Sequence, residues 1–217
     1  KVNEPYITLA GRSDAELTEK KSRFLSFAAP VGSEAEAIAF ISEIRSAYPD
    51  ARHCVYAYRI TSAPPYTARY SDDGEPQGTG GLPVLDVLKK RDIGDAAIAV
   101  VRYFGGILLG APGLVRAYSS SASLAVRAAG LVRMTPLAPV TVSVSYPLWG
   151  RLEASAPRFS VSSGQPEYAE QVKCTFYVYP ENTESAISAI ADICSGKAEC
   201  SLGDIRYFAV PVEESGD

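Results

Sequence analysis

Residues 96–130, "AAIAVVRYFGGILLGAPGLVRAYSSSASLAVRAAG", decide how the first half of this chain is read. Ala96–Val101 is apolar at every position, so an extended chain here has two faces to bury, as a strand in the middle of a sheet does. From Gly113 the run has helical character, with Ala and Ser positions that permit close packing, and Gly130 stands where such a helix ends. Arg102 lies near the end of the apolar strand. A guanidinium buried there needs an acidic partner.

The acids are upstream. "SDDGEPQGTGGLP", residues 71–83, carries Asp72, Asp73 and Glu75 among four glycines. Carboxylates suggest a metal or acid–base chemistry, whereas a glycine loop ahead of a helix suggests a phosphate. The two readings conflict, because carboxylates repel phosphate. The D-D-G-E spacing does not match a calcium loop, and no metal site is expected. The carboxylates are expected to meet Arg102, Arg116 or the start of the helix near Pro83, a residue suited to a first helical position.

The second glycine stretch, residues 102–113, lacks both the Gly-Lys-Ser/Thr ending and the G-x-G-x-x-G spacing of nucleotide loops. Two readings stay open: a tight turn with close backbone packing, or an anion or backbone-contact site at the helix start. Pro112 removes one N–H donor, which weakens the phosphate cradle. His53 is the only histidine. Adjacent side chains on a strand point to opposite faces, so His53 and Cys54 do not form a dyad. His53 is either a hydrogen-bonded structural or binding residue, or a catalytic one served by a group from elsewhere. No complete catalytic constellation is present, so no catalytic residue and no cofactor is assigned.

Elsewhere, residues 22–30 and 51–60 read as strands. Residues 33–48 read as a helix with capping-box spacing at Ser33 and Glu36 and an apolar stripe of Ala37, Phe40, Ile41 and Ile44. The two prolines of "MTPLAP", residues 134–139, suggest a linker between domains at 1–134 and 135–217. Beyond it the pattern is strand, helix, weak strand near Phe159–Ser162, strand, helix, strand. That β-α-β-β-α-β order is ferredoxin-like. The fold class is α+β in two domains.

The bulk numbers narrow the function. No apolar run approaches the ~20 residues of a membrane span, and the first residues lack the basic-then-apolar pattern of a leader. Cys54, Cys174, Cys194 and Cys200 are scattered, with no C-x-x-C pair, and read as free thiols of a cytoplasmic protein. Net charge is −4, with +2 in residues 1–134 and −6 in the remainder, and the pI is about 5.2. A sequence-independent nucleic-acid binder usually carries a strongly basic face, which these values do not supply.

Taken together, "KKSRF" (20–24), "DARH" (50–53), "YSDDGEPQGTGGLPVL" (70–85) and "VVRYFGGILLGAPGLVRAYS" (100–119) resemble, in order and spacing, the signatures of the IMPACT family. The resemblance runs from about Lys20 to Ala129 for the N-terminal domain, and from about Pro139 for a smaller second domain. It implies a ribosomal protein S5 domain 2-like fold followed by a ferredoxin-like one, both similar to the last two domains of elongation factor G. It also implies a tie to translational control, and it carries over no catalytic residue. The signature positions His53, Asp72, Asp73, Glu75, Gly78, Arg102, Tyr103, Gly105, Gly106, Gly110 and Arg116 are read as a binding surface. The expected function is that of a non-enzymatic, translation-associated regulatory protein binding RNA, the ribosome or a protein partner. The alternative is an enzyme acting on a small anionic or phosphorylated substrate, at a cleft formed by the 71–81 and 102–113 loops.

Overall fold

The chain is described by a computed structural model over residues 4–62 and 64–212. It divides into two units. One extends to Met134 and takes in the chain again from Ala209, and the other is Thr135–Phe208.

The first unit contains β1 (Tyr6–Leu9), β2 (Ser13–Glu19), β3 (Ser22–Pro30), α1 (Glu34–Ala47), β4 (His53–Ile60), β5 (Thr67–Ser71), α2 (Gly81–Lys90), β6 (Ala96–Tyr103) and α3 (Gly110–Ala129). Strands β2 to β6 form an antiparallel sheet in the order β2-β3-β6-β4-β5, which puts the wholly apolar strand at the centre. Its period of two sorts the core. Ala96, Ile98 and Val100 join Phe24, Val55 and Ala57 beneath α2 and α3. Ala97, Ala99 and Val101 join Cys54 and Tyr58 beneath the Phe40, Ile41 and Ile44 stripe of α1. The Ser33 hydroxyl caps α1 by accepting the Glu36 N–H at 3.2 Å, and the Glu36 carboxylate reaches back to the N–H of Gly32 at 2.8 Å. This is the ribosomal protein S5 domain 2-like architecture.

β2 and β5 are the edge strands, and neither stands out in the sequence. β2 is polar and half exposed, because one of its flanks and one of its faces meet water. It returns into β3 through Lys20 and Lys21, whose φ values of 44° and 66° are those of a tight hairpin turn usually given to Asn and Gly.

The second unit uses β7 (Leu131–Val144), α4 (Tyr146–Ser155), β8 (Ser162–Ser163), β9 (Glu167–Tyr168), β10 (Val172–Val178), α5 (Thr183–Ile193), β11 (Glu199–Leu202) and β12 (Arg206–Pro211). Antiparallel pairing puts β7 between β11 and β10, and β10 between β7 and β8. That order is ferredoxin-like. Val140, Val142, Val144 and Phe176 form the inner face, covered by Trp149 and Leu152 of α4 and Ile190 of α5. The left-handed Ser195 and Gly196 end the last helical turn, with the Gly196 N–H on the Ala191 carbonyl at 2.8 Å.

Three expectations change. "MTPLAP" is not a linker but lies inside β7, whose first residues pair with β1 and whose residues 138–144 pair with β10. The prolines fit because neither has to donate: Pro139 contributes its carbonyl, which accepts the Gly203 N–H at 2.9 Å. The weak strand expected near Phe159–Ser162 starts only at Ser162, as β8, and is followed by a second short strand, β9. The closing strand breaks into β11 and β12, and the second unit ends at Phe208 rather than at 217. β12 pairs with β7, and Val212 N–H donates to the Leu131 carbonyl at 3.3 Å, which returns that segment to the first unit.

Among the described residues no helix is long and apolar enough to cross a membrane. All four cysteines are unbridged, and only Cys200 is exposed. A thiol reagent should therefore titrate one cysteine quickly in the folded protein and four after denaturation without reductant. Limited proteolysis should spare the bonds from Met134 to Pro139, since Thr135, Pro136, Leu137 and Ala138 are buried in a paired strand. Early cleavage there would contradict the strand.

Candidate binding surface

The buried end of β6 organises the two glycine loops. Arg102 is 6% exposed, and its Nη1 donates to Glu75 Oε1 at 2.6 Å. The Tyr118 hydroxyl of α3 donates to the same oxygen at 2.7 Å. The guanidinium also lies between the rings of Phe24 and Phe104, at 5.5 and 5.7 Å. Burial, reinforced by the Glu75 carboxylate, raises the Tyr118 phenol far above its ordinary range, so it remains a donor at any working pH.

Asp72 and Asp73 face other partners. Asp72 Oδ2 accepts the N–H of Gly78 at 2.8 Å, and Oδ1 accepts those of Gly80 and Gly81 at 3.0 and 2.8 Å. A carboxylate from outside the helix thus satisfies the donors where α2 begins, next to the positive end of its dipole. The helix starts at Gly81 and not at Pro83, which sits in its first turn where a missing N–H costs nothing. Gly78 has φ +75°, and a Cβ on Gly81 would stand 2.6 Å from the Ser71 carbonyl oxygen, so both positions require glycine.

Asp73, itself left-handed at φ 45°, ties the loop to β4. Its Oδ2 accepts the Cys54 N–H at 2.7 Å and its Oδ1 meets Arg45 Nη2 of α1 at 2.8 Å. Its carbonyl accepts from His53 Nδ1 at 2.8 Å, so this nitrogen carries the hydrogen. His53 stands directly across from Arg102 on the neighbouring strand. Cys54, on the other face, has its thiol pushed up by burial. A cavity of about 320 Å³ lies on that face, with Arg45, Tyr56, Ser71 and Asp73 in its wall.

Of the positions read from sequence, His53, Asp73, Glu75 and Arg102 come together, and Asp72 with Gly78 stands beside them as the helix anchor. Tyr103 turns away to Asp50, donating its hydroxyl at 2.8 Å. Gly105 packs on the β2–β3 hairpin, while Gly106 and Gly110, at φ +81° and +70°, shape an open loop. Arg116 does not reach the carboxylates: it is exposed and lines a separate cavity beside Lys20. Tyr118 takes the place expected of it. Two residues turn a helix by about 200°, so Tyr118 faces the core when Arg116 faces water. Arg45 was the other unread partner, and its only signal is a basic residue in the last turn of α1. Among the described residues no three of His, Cys, Asp and Glu converge as metal ligands would.

Glu75→Gln should leave the Arg102 charge buried and uncompensated, at a cost of ~3–5 kcal/mol in unfolding free energy. Tyr118→Phe should cost about 1 kcal/mol, since Glu75 keeps Arg102. Both are read from denaturant curves, and chelator should leave the wild-type curve unmoved. A wild-type curve that shifts with chelator would make the carboxylates metal ligands.

Comparison with known proteins agrees with this layout. Residues 20–126 match the Impact N-terminal domain, and residues 142–197 match a domain of unknown function, DUF1949. The chain is 33% identical over 203 residues to the IMPACT family member YvyE of Bacillus subtilis (strain 168), covering 94% of this chain and 93% of that one. It is 36% identical over 179 residues to an IMPACT family member of Thermus thermophilus, covering 82% and 96%. A solved structure of a hypothetical protein superposes over 98% of this chain and 99% of that chain, with a TM-score of 0.59 and 30% identity. The chain belongs to the IMPACT family.

Proposed function

We propose that this protein is a non-enzymatic, translation-associated regulatory protein of the cytoplasm that works by binding a partner: an RNA, the ribosome or another protein. Family membership supports the connection with translation. The observation that carries the non-enzymatic part is how the polar groups are used. Asp72, Asp73 and Glu75 are each bound to internal donors, two of them to backbone N–H groups. A general base or nucleophile has to be free to meet substrate, whereas these carboxylates hold the loops in place. The alternative, chemistry at a cleft of the 71–81 and 102–113 loops, has less support for that reason.

The test is affinity capture from a lysate of the source cells, with and without nuclease. Ribosomal or translation-factor components are expected in the untreated arm. Their loss on nuclease treatment would identify RNA as the contact, and their retention would identify protein. Recovery of no translation component in either arm would sink the proposal.

A further inference from the structure

The loop that follows β6 shows water what soluble proteins normally hide. Leu108 is 83% exposed, Phe104 55% and Ile107 42%. A lone exposed apolar side chain needs no explanation, but three on one loop form a patch of the kind found at interaction sites. The loop is firmly seated. A Cβ on Gly105 would stand 2.0 Å from the carbonyl carbon of Lys21, so the two backbones are in direct contact, and the Gly105 N–H donates to Ser22 Oγ at 3.2 Å.

That contact brings the β2–β3 hairpin tip alongside the loop. Lys20 and Arg116 rim a cavity of about 240 Å³ with Leu17, Leu109 and Ala117 in its wall. Arg23 nearby is neutralised by Glu16 at 2.8 Å. Lys20, Lys21 and Arg116 have no ion pair among the described residues, and against them stands Glu19, which also lines the cavity. Three cations against one carboxylate leave a local charge of +2 beside the apolar patch.

We infer that the Phe104–Gly110 loop, together with Lys20, Lys21 and Arg116, is the docking surface for an acidic, apolar segment of a protein partner. The inference rests on the partner-binding reading above and names the partner's chemistry. Apolar side chains of such a segment cover Leu108 and enter the cavity, while its carboxylates meet the three unpaired cations. Single-stranded RNA is matched less well. Its phosphates would use the cations, but Ile107 and Leu108 offer no stacking face, and Phe104 alone makes a small platform.

The probe is a display library of random dodecapeptides selected on the full chain, together with a single-stranded oligouridylate. Leu108→Ser and the double variant Lys20→Glu/Lys21→Glu alter exposed side chains only, and circular dichroism confirms that each is folded. Wild type should select peptides that combine Asp or Glu with Leu or Phe. Each variant should bind a selected peptide about tenfold or more weakly, and the charge-reversed variant should select basic peptides instead. Selection without an acidic bias, or binding indifferent to both variants, overturns the inference. Oligouridylate binding that is lost in the lysine variant but kept in Leu108→Ser, with no peptide selected, also overturns it while leaving partner binding intact. If neither probe binds and lysate capture recovers no translation component, both readings fall.

Discussion

The structure of the first unit depends on one buried charge. Arg102 lies one residue before the end of the central strand, follows an apolar run, and is 6% exposed. An ion of that size taken out of water without compensation costs several kcal/mol, enough to unfold a domain of ordinary stability. Glu75 has to come to it, and so residues 71–81 must fold back over the end of the sheet. Tyr118 then joins the same oxygen from α3 and fixes the helix to strand and loop at one point.

The other two carboxylates follow from that placement. With Glu75 anchored, Asp72 lies beside the N–H groups that open α2, and Asp73 lies beside the edge of β4. One short acidic run therefore attaches a helix, a neighbouring strand and a buried cation. The glycines serve the same geometry, since Gly81 and Gly105 sit where the backbones of adjoining segments touch. Each carboxylate of the loop is thus held by an internal donor. The neighbouring 104–110 loop, held at Gly105, presents large apolar side chains to water.

Much of this was legible in the residues. An apolar run with an arginine at its end announces a central strand and a need for an acid, and a carboxylate-rich loop is the natural source. Which acid takes which partner was not legible, because that depends on the twist of the loop and on left-handed residues such as Asp73. Arg116 and Tyr118 differ by half a helical turn, and only the packing of α3 tells which one turns inward. The prolines at 136 and 139 looked like a break because proline usually interrupts pairing; inside β7 they occupy positions that need no donor. β2 and β5, half polar at the sheet edges, carried little signal of their own.

The return of the C-terminal segment to Leu131 bears on how the protein is made. Residues 135–208 form a contiguous stretch, so their unit can close as soon as it has left the ribosome. The first unit cannot. It begins earlier in synthesis, yet its bond from Val212 to Leu131 is available only after the whole second unit has been made. The part translated first is thus the part completed last. Until then the β7 segment that receives β12 waits without that partner, and a nascent chain halted before β12 holds a second unit ahead of an unfinished first one.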